Sequence, residues 1–325
     1  MMNIKKINFF VTIIFFLSYL LVGIKTFKDF GVNIEEHTQV YSGFYWLNYI
    51  YNFFQLDFFQ ENLSIILNDI SKDNDLPKPN EYTYGPVFDL PTAFIELFLT
   101  SIEIEFSYFY RHLSIFIIFF ISSIFVFKIL SLRFKNLFLS LFGTFLYIFS
   151  PRVYGDSFHN NKDILFLSLV VFSIYYLFKV FKEDKFTNII LFCLFSALST
   201  STRIIGIFLP FSIIIFLLIG TNDKKKELKN TLFIFIFYFL FLYLHWPYLW
   251  EDPLKNFFNH IVNSKDWIFS YYILFQNNYF LTTNLPDSYI FIWIAISTPI
   301  LNLVIFLSGF YILTSRQFKR FILVD

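Results

Sequence analysis

Apolar residues fall in long runs along this chain, and polar residues gather in clusters between them. The runs cover 7–24, 113–130, 137–149, 164–181, 188–200, 204–219, 231–244 and 289–313. At about 1.5 Å per residue, the longer runs nearly cross or fully cross a ~30 Å hydrocarbon core. The pattern therefore predicts about eight transmembrane helices. Runs 137–149 and 188–200 are short and call for ends embedded in protein. Lys5 and Lys6 precede the first run, as in a signal peptide. The sequence that follows it, Lys25-Thr26-Phe27-Lys28, is a poor cleavage site, so this run reads as an uncleaved first span. Two connections are long, 25–112 and 245–288. Within the first, 41–59 is amphipathic and aromatic, and it is expected to lie as a helix in the membrane interface. Segment 60–82 is polar and turn-rich. The expected fold is all-α: one polytopic domain over 1–325 with interfacial helices in the first long loop.

Composition agrees with that pattern and excludes its rivals. The 325 residues are 57% hydrophobic and 24% aromatic but only 15% charged, against about 25% charged in soluble domains. A soluble globule, a disordered chain and a disulfide scaffold are all excluded. Cys193 is alone inside an apolar run and reads as a small buried thiol. The 52 Phe accompany high Ile, Asn, Lys and Tyr, as AT-rich coding would give, so they signify lipid-facing or core bulk.

Charge fixes an expected orientation. With an even number of spans both ends share a side, and placing them inside puts 15 of the 25 Lys and Arg on short inner segments. Only 5 of the 24 Asp and Glu fall there, so a net +10 inside faces −9 outside within a total of +1. All five His fall outside too. The expected location is an inner (plasma) membrane, with both termini cytoplasmic and the chemistry on the outer face.

The candidate chemistry lies in five outer clusters. Glu35-Glu36 follow the first span. Adjacent side chains point to different faces, so one carboxylate can meet a cavity while the other anchors a helix start or a cation. A solvated acid pair is the plain alternative. Tyr84-Gly85-Pro86 leads to Asp89 and Glu96 within an apolar helix, where charge is expensive and tends to be functional. The loop 150–163 carries Arg152, Asp156, His159, Asn160, Asn161, Lys162 and Asp163, and Arg152 with Lys162 can hold an anion. Arg203 follows Ser199-Thr200-Ser201-Thr202. Its planar, permanently charged fork suits a phosphate or carboxylate, with snorkelling as the alternative. Trp246 and Trp250 flank a helix exit, where an aromatic belt alone would place them. No phosphate-binding glycine loop, dinucleotide fingerprint or metal-ligand spacing occurs. The outer acids and His leave a divalent metal open, without a spacing to support it.

Taken in order, these stretches resemble the bacterial branch of the polyprenyl-phosphate-dependent GT-C glycosyltransferases, the protein-mannosyltransferase-like family. The resemblance runs from about Gly31 to Leu303. It rests on Glu35-Glu36-x-x-Gln39, Tyr84-Gly85-x-x-Phe88-Asp89-Leu90-Pro91, Arg111-His112, Ser150-Pro151-Arg152 through Asn161-Lys162-Asp163, Arg203-Ile204 and Trp246-Pro247-x-Leu249-Trp250-x-Asp252-Pro253.

The resemblance implies a sugar donor linked through phosphate to a long isoprenoid, an acceptor hydroxyl on glycan, lipid or protein, and inverting transfer on the outer face. No cofactor is required and no nucleic acid is a partner. Glu35 is implied as general base, with Glu36 positioning it. Arg203, Arg152 and Lys162 would bind the lipid phosphate, and His159 and Asn160 would orient sugar hydroxyls. Tyr84, Asp89 and Arg111 join the substrate site by their motifs. Trp246 and the aromatics of 41–59 would face the prenyl chain or the sugar. The family pattern usually begins Asp-Glu, so Glu35 is one methylene longer than the usual base. Family members are commonly longer, and this chain ends at Asp325, soon after its eighth span, which fits a truncated copy or a short version. A non-catalytic remnant and a lipid or solute transporter are the competing readings.

Overall fold

A computed structural model gives the structure and describes residues 4–70, 79, 82–101, 108–183, 185–219, 224–265 and 270–322. All eight apolar runs are helical over most of their length. In chain order the helices are α1 (Ile4–Thr26), α2 (Glu36–Phe54), α3 (Gln60–Ile70), α4 (Asp89–Ser101), α5 (Tyr108–Phe134), α6 (Leu137–Ile148) and α7 (Pro151–Asp156). They continue as α8 (Asp163–Lys182), α9 (Phe186–Thr202), α10 (Phe208–Ile219), α11 (Lys224–His245), α12 (Pro253–Lys265), α13 (Tyr289–Ser297) and α14 (Ile300–Ile322). The protein is an all-α polytopic membrane protein.

The count of spans differs from the expectation of eight. Among the described residues four helical stretches are long and apolar enough to cross a bilayer: Lys6–Thr26, Tyr108–Phe134, Asp163–Lys182 and Leu228–His245. Helices α6, α9 and the stretch Ile204–Ile214 are apolar but shorter. The last run, 289–313, is not one helix: α13 and α14 meet at 112°. The break is local chemistry. Thr298 precedes Pro299, and the proline ring drives it out of the helical region to φ −100°, ψ 130°.

Helix α9 lies between α8 and α11, and its small residues make that burial feasible. Ser196, Ala197, Ser199, Thr200 and Ser201 are fully buried, letting neighbouring backbones approach closely as small residues do between membrane helices. The Tyr238 hydroxyl donates to Thr200 Oγ1 at 2.9 Å, joining α11 to α9. A second apolar cluster ties α1, α5 and α8 together through Tyr19, Phe116 and Leu165. Rings of Phe30, Phe158 and Phe116 stack in series at 4.4 and 5.0 Å, fastening the loop after α1 to the loop before α8. Many large apolar side chains, such as Phe138, Phe208, Phe291 and Phe306, stay exposed, as lipid-facing residues should be.

The first long loop is more protein-like than its sequence suggested. Helix α2 does not simply float in the interface: it buries Phe44, Leu47 and Tyr51 against α4 and α3, and its Gln39 and Trp46 are buried as well. Gly43 is where the two helices touch, because a Cβ there would run into the Asp89 carbonyl. Residues 60–70, read as turn-rich, form α3, while 71–78, 80 and 81 lie outside the described residues. The second long loop holds α12 and a small hairpin that the all-α expectation did not contain. Its strands are β1 (Tyr272–Phe275) and β2 (Asn278–Leu281), antiparallel, with Phe275 opposite Asn278. The two turn residues, Gln276 and Asn277, both take positive φ (49° and 62°), as a tight hairpin turn requires.

Candidate active site

Helices meet around a single small recess. Its lining comes from the first turns of α4 and α8, the last turn of α9 and, through Ser42, the second turn of α2. The recess is tight, with a cavity volume of about 20 Å³, and its wall includes Ser42, Tyr84, Asp89, Asn161, Lys162 and Thr202. The loop 82–86 forms one side. Gly85 lies so close to α9 that a Cβ would overlap Ser201, and its N–H donates to the Ser201 carbonyl at 2.9 Å.

Lys162 is the cation of the recess. Its Nζ sits 5.1 Å from the centre of the Tyr84 ring, a cation–π distance. Burial pulls its pKa down to about 8, and Arg203 adds to that, while Glu35 and Asp163 act the other way. The charges of Glu35, Arg203 and Asp163 thus all act on Lys162. Arg203 itself grips Asp163 through Nη2 and Nε at 2.6 and 3.0 Å, in a partly exposed pair.

The two adjacent glutamates divide as their opposite directions require. Glu35 is exposed and precedes the first turn of α2. Glu36 is buried: one oxygen accepts from the Asn33 N–H at 2.6 Å and the other meets His112 Nε2 at 2.9 Å. Asn33 also reaches His159 Nδ1 at 3.5 Å, so His159 steadies the loop that carries Glu35.

Asp89 is the acid inside the recess. Burial raises its pKa to about 7, with Glu96 adding to that and Arg111 opposing it. It accepts from Asn161 Nδ2 at 3.4 Å and from Arg111 Nη1 at 3.5 Å. Asn161 keeps its carbonyl oxygen Oδ1 buried and without a partner among the described residues, an acceptor waiting for a donor.

Other expected site residues lie elsewhere. Arg111 was expected at the substrate, but it is 1% exposed and forked onto Glu96 at 2.6 and 3.2 Å. Its charge is consumed by two buried carboxylates. Arg152 is on the surface, 3.8 Å from Asp156 and one helical turn away from it. Asn160 is occupied at the start of α8, where its Oδ1 accepts from the Asp163 N–H at 3.0 Å. Trp246 is fully buried, donates to the Thr83 carbonyl at 3.1 Å and packs edge-on against His260. Ser42 and Thr202, which do line the recess, carry no signal in the sequence because small hydroxyls are common between packed helices. Among the described residues no group of three or more His, Cys, Asp or Glu could hold a metal ion.

The comparisons with known proteins bear on this arrangement. Residues 92–250 match the family described as dolichyl-phosphate-mannose-protein mannosyltransferase. No curated protein and no solved structure matches the chain. The matched segment runs from α4 through α11 to Trp250 and includes Arg111, Asn161, Lys162, Arg203 and Trp246. That segment, just under half of the chain, is similar to the membrane glycosyltransferases of the GT-C type, and the apolar helices that carry it agree with that likeness.

Proposed function

We propose that the protein moves a sugar from a polyprenyl-phosphate donor to an acceptor hydroxyl on the outer face of the inner membrane, with inversion at the anomeric carbon. The observation that carries this reading is the setting of Lys162, at the recess wall against the Tyr84 ring and next in the chain to Asp163, which Arg203 grips. A base and a pair of cations must flank one sugar for such a transfer. Glu35 takes the proton from the acceptor hydroxyl as its oxygen attacks the anomeric carbon. The bond from that carbon to the phosphate oxygen breaks, and the lipid phosphate leaves with the electron pair. Negative charge grows on the leaving group, and Lys162 and Arg203 stabilise it there. Glu36, fixed by His112 and the Asn33 N–H, holds the turn that presents Glu35. The orphan Oδ1 of Asn161 accepts from a sugar hydroxyl.

A second assignment of the base has its own support. Asp89 lines the recess, and a carboxyl held at about 7 is well matched to proton transfer near neutral pH. The two are separated by Glu35→Gln and Asp89→Asn, assayed in membranes with a labelled polyprenyl-phosphate sugar. Loss of transfer in Glu35→Gln alone supports the first assignment. Loss in Asp89→Asn alone supports the second. Undiminished transfer in both variants removes this recess from the chemistry.

A further inference from the structure

Helix α2 presents more than the recess. Ser42 lines the recess, and one to two turns further along the same face Tyr45, Trp46 and Tyr49 line a second cleft. The loop 82–86 is shared in the same way: Tyr84 lines the recess and Tyr82 the cleft. Tyr248, Glu251, Lys255, Asn256 and Asn259 make the far wall, from the turn Pro247–Leu249, the link that follows it and α12. The cleft is open, with a cavity volume of about 260 Å³. Recess and cleft therefore lie in line along one helix and one loop.

The chemistry of this cleft selects among ligands. Aromatic side chains on one wall offer flat apolar faces with polar tips. The opposite wall offers a carboxylate, an ammonium and two amides within two helical turns. An acyl chain would leave Glu251, Lys255 and Asn259 to be desolvated without partners, which is costly. A phosphate would meet Glu251. That acid is close enough to help raise the pKa of Tyr45 and Tyr49, after burial of the tyrosines themselves. A sugar ring satisfies both walls: its C–H face lies against an aromatic ring and its hydroxyls meet donors and acceptors around the edge. The indole N–H of Trp46 is buried without an acceptor among the described residues, and a hydroxyl-rich ligand brings acceptors to this wall.

We propose that this cleft binds the saccharide part of the acceptor, so that the substrate to be extended is already a glycan, whether carried on lipid or on protein. The proposal rests on the transferase reading for the word acceptor, but the binding does not. The test measures binding separately from transfer. Full-length protein in lipid nanodiscs is titrated with soluble oligosaccharides of neutral hexoses, N-acetylhexosamines and uronic acids, and with Ser/Thr-rich peptides free of sugar. Tryptophan fluorescence reports binding, since Trp46 lies in the wall. A lipid-linked and a peptide-linked form of the sugar that binds then separate the two carriers.

The expected result is saturable binding of at least one oligosaccharide. Binding weakens about ten-fold in Tyr49→Ala and in Asn259→Ala and is unchanged in Glu35→Gln. Asn259 is exposed, so its variant keeps the fold even where Tyr49→Ala lowers stability. Binding that survives in Glu35→Gln and Asp89→Asn while neither variant loses transfer overturns the proposed catalytic roles and leaves the cleft assignment standing. No oligosaccharide binding, binding indifferent to both cleft variants, or peptide binding that these variants abolish overturns the cleft assignment.

Discussion

Arg111 is held between Glu96 and Asp89 with almost no contact with solvent. A buried cation with two carboxylates leaves each partner dependent on the others. Arg111→Met should cost about 3–5 kcal/mol, because it strands charge in a low-dielectric site. The check is a lowered unfolding midpoint in detergent, with much of it restored by adding Glu96→Gln. Lys162 and Asp89 make a second prediction, in pH. Burial raises Asp89 to about 7, so its carboxylate forms only as pH passes that value. Burial lowers Lys162 to about 8, so its charge is lost as pH climbs past that value. Donor turnover should therefore rise through about 7 where Asp89 must be ionised and fall through about 8 where Lys162 must be charged. Lys162→Arg, which cannot lose its charge in this range, should move the falling limb upward. At this scale the sequence identified which residues are unusual but not which neighbour claims them. Arg111 and Arg203 look alike in sequence, yet one is spent on its own fold and the other sits at the surface beside Lys162. The difference depends on Glu96, about two turns along α4 from Asp89, and no spacing rule relates it to Arg111.

Helix contacts decide whether those residues stay in register. Gly43 lets α2 lie against the backbone of Asp89, so Gly43→Val must push the two helices apart. The expected cost is about 1–3 kcal/mol, with a larger proportional loss of transfer because Asp89 moves with α4. Thermal unfolding and transfer rate measured on the same preparation test that disproportion. The loop 82–86 is fixed by Trp246, by Ser201, and by Thr83 bonded to His260 Nδ1 at 3.1 Å. His260 is buried, which lowers its pKa to about 4 from 6.5. Because the folded state keeps it neutral, stability is undiminished above 6.5 and is progressively lost as pH falls from there toward 4. His260→Gln should flatten that part of a stability–pH profile. Element identity was largely legible, since each long apolar run became helix. The role of α2 was not. Its aromatics suit a membrane interface and a protein core equally well, and only the close approach at Gly43 tells them apart.

Under the expected eight-span topology the charges are sorted, with the basic excess on the inner side and the acids on the outer. This predicts sidedness. The single thiol, Cys193, is buried, so a membrane-impermeant maleimide should leave the natural chain unlabelled. Asp287→Cys should then react from the outside of intact spheroplasts, and Lys185→Cys only after permeabilisation; the reverse pattern would invert the orientation. Hydropathy revealed the membrane class, but it does not register a bend such as the one Pro299 imposes. That bend carries a consequence for handling the protein. Helix α14 keeps Val304, Phe306, Phe310 and Leu313 exposed along much of its length, and α13 keeps Phe291 and Ile296 exposed. What steadies this last segment is mainly the surrounding solvent, and in a cell that solvent is lipid. Extraction into a short-chain detergent should free it first, and a protease should clip the region 289–322 while the recess-bearing helices remain whole. In nanodiscs the same sites should resist cleavage. The choice of amphiphile thus sets how much of the native molecule an assay contains.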